Sequence, residues 1–202
     1  MRPFCVLFLR RLANRNMSLY AQLDQLERCG IVPNVGIGVA DLLARHTERQ
    51  YETDPFRLLL TVLGGETTNS SPIPLSEYVW HLRVGCITGP GDYGRIARRM
   101  AILAGGALPI AEISDEFDWA AGIVWLRFRF RGEQVDWPAR IREHWIDPAL
   151  FSRFAALLEA QDAPQRFTYL DLGGQDALLG CATTKQFADL RRRAGLKFQW
   201  LG

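Results

Sequence analysis

Between Trp125 and Arg131 the chain reads Trp-Leu-Arg-Phe-Arg-Phe-Arg, an alternation that suits a half-buried β-strand and no helix. Phe128 and Phe130 fall on one face, and Arg127, Arg129 and Arg131 on the other. Gly132-Glu133 turns this strand into a partner that runs through Trp137. Upstream, Ile110, Glu112, Ser114 and Glu116 already alternate with Ala111, Ile113 and Asp115. A second hairpin is expected from residues 167–172 and 177–183, joined by Gly173-Gly174-Gln175-Asp176. These hairpins call for a largely antiparallel sheet.

Gly89-Pro90-Gly91-Asp92-Tyr93 opens the clearest helix. Tyr93, Ile96, Ala97, Met100 and Leu103 recur at helical spacing, with Arg95, Arg98 and Arg99 expected to face outward. Asp92 is placed to accept a bond from a free amide of the first turn. The turn is no phosphate loop, because no lysine follows the glycines and a carboxylate takes the anion's place. Further helices are expected over 18–29, over 39–46 and as far as Tyr51, from Asp147-Pro148 through the stripe Leu150, Phe151, Phe154, Leu157 and Leu158, and over 184–193, stopped by Gly195. The apolar run 56–63, bounded by Asp54-Pro55 and Gly64-Gly65, reads as a buried strand, as do 77–87 and 196–201. Residues 67–74 form the longest irregular segment and the one expected to be mobile. Grouped strands and helices point to an α+β fold, one domain with about four to five helices.

Length and composition fit that reading. The 202 residues suffice for one core, and 48% hydrophobic with 23% charged residues is ordinary globular composition. Residues 1–16 carry Arg2, Arg10, Arg11 and Arg15 and no acid. From Met17 onward 20 basic residues therefore face 22 acidic ones, a net charge of −2 under an overall +2. An acidic body argues against a dedicated nucleic-acid binder. The apolar run 4–9 is too short for a membrane span or a signal peptide, which points to the cytoplasm and no membrane. The basic leader has three readings: residues upstream of the true start at Met17, a loosely packed segment, or a short interfacial anchor. The first makes 1–16 dispensable and 17–202 the domain. Cys5, Cys29, Cys86 and Cys181 lack the paired spacing of a zinc site and read as reduced structural thiols.

No catalytic set emerges from the three histidines, His46, His81 and His144. Cys86 and His81 are an odd number apart in an expected strand, hence on opposite faces. Asp115, Glu116 and Asp118 cluster before Trp119. They read either as a solvated acidic edge or as a surface that meets a basic partner, with Trp119 as its anchor. The other tryptophans, Trp80, Trp125, Trp137 and Trp145 among them, are expected to fill the core. A second candidate site joins the two glycine turns, with Asp92, Tyr93, Gln175 and Asp176 as its polar groups. Neither site calls for a metal or a cofactor.

The segments Cys86-Ile87-Thr88-Gly89-Pro90-Gly91-Asp92-Tyr93, Trp145-Ile146-Asp147, Gly174-Gln175-Asp176 and Cys181-Ala182-Thr183 together resemble a group of uncharacterised bacterial proteins of similar length. The resemblance runs from about Leu19 to the C-terminus and implies no activity. That group often carries acids where this chain has His81, Arg83 and Gly85, so an acidic site there is missing here. The leading expectation is a non-enzymatic protein-binding module, in one version a bacterial immunity or accessory protein that neutralises a toxin. The alternative is an enzyme or small-ligand binder that uses the two glycine turns.

Overall fold

Two antiparallel sheets organise the chain. The computed structural model describes residues 17–68, 72–141 and 143–202, so every expectation about the leader lies outside the described residues. In chain order come α1 (Leu19–Glu27), α2 (Val39–Leu43), α3 (Glu48–Thr53), α4 (Arg57–Leu63), β1 (Val79–Arg83), α5 (Asp92–Leu103), β2 (Ile110–Asp118), β3 (Ile123–Phe130) and β4 (Glu133–Arg140). Then follow α6 (Ala149–Glu159), β5 (Gln165–Gly173), β6 (Asp176–Thr183), α7 (Thr184–Ala194) and β7 (Gln199–Trp200). One sheet has the order β2-β3-β4, the other β1-β6-β5-β7. The fold is α+β.

Alternation along β3 works as the sequence predicts. Val124, Leu126 and Phe128 are fully buried. Arg127 and Arg129 point the other way, toward Glu116 at 2.5 Å and Glu112 at 3.0 Å. The buried side belongs to a core shared by α5, α6, the inner face of this sheet and one face of the four-stranded sheet. Trp137 is wedged there, edge-on to Phe128 and Phe154 at 4.9 and 5.0 Å. Trp125 departs from expectation: cross-strand from Glu116 and Pro138, it lies on the outer face with the arginines. A second core fills the opposite face of the four-stranded sheet, under α1 to α4 and α7. Along β6 the two cores alternate, Leu179 serving the first, and Leu178 and Ala182 the second.

Several expectations are corrected. The run 56–63 is helix α4, not a strand; Leu59, Leu60 and Leu63 are fully buried, and the outer face is Arg57, Leu58 and Thr61, too few polar residues to stand out in an apolar run. The helix expected over 39–51 is two short ones, because Thr47 and Gln50 cap each other and restart the chain at α3. The described residues contain seven helices. The 77–87 strand shrinks to β1. Arg99 faces inward, 5% exposed, and donates to the Ser76 and Val79 carbonyls at 2.7 Å each; burial brings its pKa down to about 10. The loop after α4 is pinned at its ends, where the Thr67 amide donates to the Ile73 carbonyl and Glu66 bridges Pro74; residues 69–71 lie outside the described residues.

The close approach of α4 to β1 rests on one glycine. The His81 amide donates to the Gly64 carbonyl at 2.8 Å, and a β-carbon at Gly64 would lie 2.4 Å from that amide nitrogen. Gly64→Ala is therefore expected to cost about 1–3 kcal/mol in denaturant unfolding. Gly89→Ala, where nothing lies within 4 Å, should stay within about 0.5 kcal/mol of wild type. Equal losses at both positions would contradict this packing.

Candidate functional site

The glycine turn before α5 is closed from two directions. Gly91 is the N-cap, in a left-handed conformation at φ 97° that suits glycine. Asp92, the first helical residue, reaches backward and accepts from the Thr88 amide (2.6 Å), the Thr88 hydroxyl (2.9 Å) and the Gly89 amide (3.1 Å). Its other oxygen meets Arg95 at 3.2 Å. The expectation that Asp92 caps α5 is thus corrected, because side chains at a helix start lean toward the N-terminus. The cap comes from β2. Asp115 accepts from the Gly91 amide at 2.6 Å and the Gly94 amide at 2.9 Å, one carboxylate across two free helix donors.

Other backbone bonds gather the remaining turns at the same end. The Ile87 amide donates to the His144 carbonyl and Ile146 to Val84, both at 3.0 Å, while Val84 donates to the Gln175 carbonyl at 2.8 Å. Ile141 donates to Gly122 at 3.0 Å. The Asp147 amide donates to the Tyr93 hydroxyl at 3.2 Å, and its carboxylate accepts from the Arg140 and Ala149 amides. The turns at 89–92, 118–122, 143–147 and 173–176 therefore form one loop end. Each carries a motif that stood out in the sequence.

Trp119 sits on this end, 60% exposed, as the sequence suggested. Its ring stacks on Phe117 at 4.9 Å, and Phe117 meets the buried Tyr93 edge-on at 6.1 Å. The neighbouring acids do not form one patch. Asp115 points inward to α5; Glu116 pairs with Arg127 on the outer face; Asp118 accepts from the Ala121 amide at 2.9 Å and shapes the turn.

The alternative site disperses. Tyr93 is fully buried, and burial raises its pKa. Asp176 meets His81 at 3.1 Å and Arg83 at 3.7 Å, a cluster that only the pairing of β1 with β6 brings together. Sequence reasoning missed it, since its members lie 95 residues apart. Two hollows lie elsewhere. A small one of about 20 Å³, room for one water, is lined by Cys29, Thr168 and Gly180; an open one of about 360 Å³ lies along α3. Neither touches Asp92, Tyr93, Gln175 or Asp176.

Cys29, Cys86 and Cys181 are free thiols whose pKa values burial pushes up, that of Cys181 to about 12. Such thiols are poor nucleophiles at neutral pH. Among the described residues no group of three or more His, Cys, Asp and Glu side chains is arranged to hold a metal, and no helix is long and apolar enough to cross a membrane. No protein-family model, curated protein or solved structure matches the chain.

Asp92 supplies a pH test of the turn. Partial burial pushes its carboxyl upward, but the bonds from Thr88 and Gly89 and the charge of Arg95 outweigh that and hold it below the usual carboxylate value. A depressed folded pKa stabilises above the unfolded value of about 3.9, and that stabilisation is lost as pH falls through the lower folded value. Urea titrations from about pH 5 downward should show wild type losing stability and Asp92→Asn losing less. Identical acid profiles would place the acid-sensitive bonds elsewhere.

Proposed function

We propose that this chain is a non-enzymatic protein-binding module that docks its partner at the loop end, with Trp119 as the anchor. The observation that carries the reading is Trp119 itself. Among the described residues it is the one tryptophan left exposed, and it is stacked on a second ring at the tip of a shaped turn. Exposing an indole on a fixed support costs hydrophobic free energy that partner burial recovers, and tryptophan is enriched where binding energy concentrates. The concrete version is a bacterial immunity or accessory protein that blocks a toxin.

The ligand-binding alternative has less behind it. Asp92 and Asp176 are engaged in intramolecular bonds, and Tyr93 is sealed in the core. The partner is a protein with a basic surface, since the body carries a net −2 and Glu116 and Asp118 stay exposed beside the anchor. Asp115 is withdrawn from that role by its hold on α5.

The experiment is a pull-down from the native host, followed by binding kinetics. Trp119→Ala should speed dissociation roughly tenfold or more, about 1.4 kcal/mol, with an unchanged melting temperature. Reversing Glu116 and Asp118 to lysine should slow association at low salt and matter less at high salt. A host in which no protein binds, while a small molecule raises the melting temperature, would sink this reading.

A further inference from the structure

Strand β2 is an edge strand, paired only with β3, and Trp119 lies just beyond its last residue. An irregularity in the ladder between Ala111 and Ser114, with Glu112 at φ 50°, breaks the strand into two halves. Such a bulge bends a strand and disrupts the ladder locally. The part that carries Trp119 is paired with β3 from Ser114 to Asp118, and its contacts to α5 add a second hold. On the face toward α5, Asp115, Phe117 and Trp119 follow one another at alternate positions. Asp115 holds the Gly91 and Gly94 amides, Phe117 meets Tyr93, and Trp119 stacks on Phe117. The chain rises roughly 13 Å over the four residues from Asp115 to Trp119, so the clamp reaches the ring through Tyr93 and Phe117 rather than directly.

We infer that Asp115 is a positioning residue: by clamping β2 to the start of α5, it holds Tyr93 against Phe117 and so fixes the Trp119 ring as a rigid docking anchor. The matching partner is a protein with a preformed apolar pocket for the exposed indole, set in the basic surface that the net −2 body calls for. Preorganisation of this kind lowers the ordering entropy lost on association. The inference rests on the docking reading above, but the fixing of the ring can be measured with no partner present.

The test is ¹⁹F NMR of the full chain labelled with 5-fluorotryptophan, with the Trp119 signal assigned through Trp119→Phe. In Asp115→Ala the Trp119 signal should narrow and move toward that of the free amino acid, while the signal of half-buried Trp137 stays in place. Asp115→Asn keeps one acceptor oxygen and should give a smaller shift of the same signal. An unmoved Trp119 signal in folded Asp115→Ala overturns the inference. If Asp115→Ala fails to fold, Asp115→Asn decides: a shift confined to Trp119 supports positioning, and no shift or a uniform shift of all signals overturns it. A partner that binds Trp119→Ala as tightly as wild type overturns the docking reading instead.

Discussion

One carboxylate across two backbone amides ties the loop end together. Asp115 belongs to the three-stranded sheet, and Gly91 and Gly94 belong to the helix that packs against it. Charge-assisted bonds to free helix donors are among the stronger polar contacts, and here they also sit at the positive end of the helix dipole. With α5 fixed at its start, Tyr93 points into the core and lends its hydroxyl to the Asp147 amide. Asp147 in turn holds the amides at the end of β4 and the start of α6. The clamp thereby reaches two of the four turns that make up the candidate surface.

At its other flank α5 is held by Arg99, whose guanidinium joins the carbonyls of Ser76 and Val79 at the entry to β1. Two of its nitrogens have no protein partner, and a buried charge in that state is costly. Glu66 and Glu77 lie near enough to offset part of the cost. α5 is thus pinned to one sheet through Asp115 and to the other through Arg99. Apolar packing of Ile96, Met100 and Leu103 fills the space between.

Sequence patterns revealed the β3–β4 hairpin, α6 and α7 through faces that differ, and the β5–β6 hairpin, whose β6 is buried on both faces, through its glycine turn. α4 reads as a strand because only Arg57 and Thr61 interrupt its apolar run, a short helical signal that the β-favouring flanks outweigh. Arg99 was misplaced because charge alone was taken to mean exposure. Of the candidate surface, Trp119 was legible: acids before it and Ala120-Ala121-Gly122 after it leave little to cover an indole. Asp115 was visible only as one of three neighbouring acids. Its role depends on which sheet edge α5 meets, and no local pattern encodes that. The His81–Asp176 contact was hidden for the same reason.

The clamp is most directly tested by amide hydrogen exchange. In wild type the Gly91 and Gly94 amides should be protected. Asp115→Asn should speed exchange at those two sites together, while Thr88 and Gly89, held by Asp92, keep their protection. Fast exchange at Gly91 and Gly94 in wild type would contradict the account, as would protection there that vanishes with Asp92→Asn and survives Asp115→Asn.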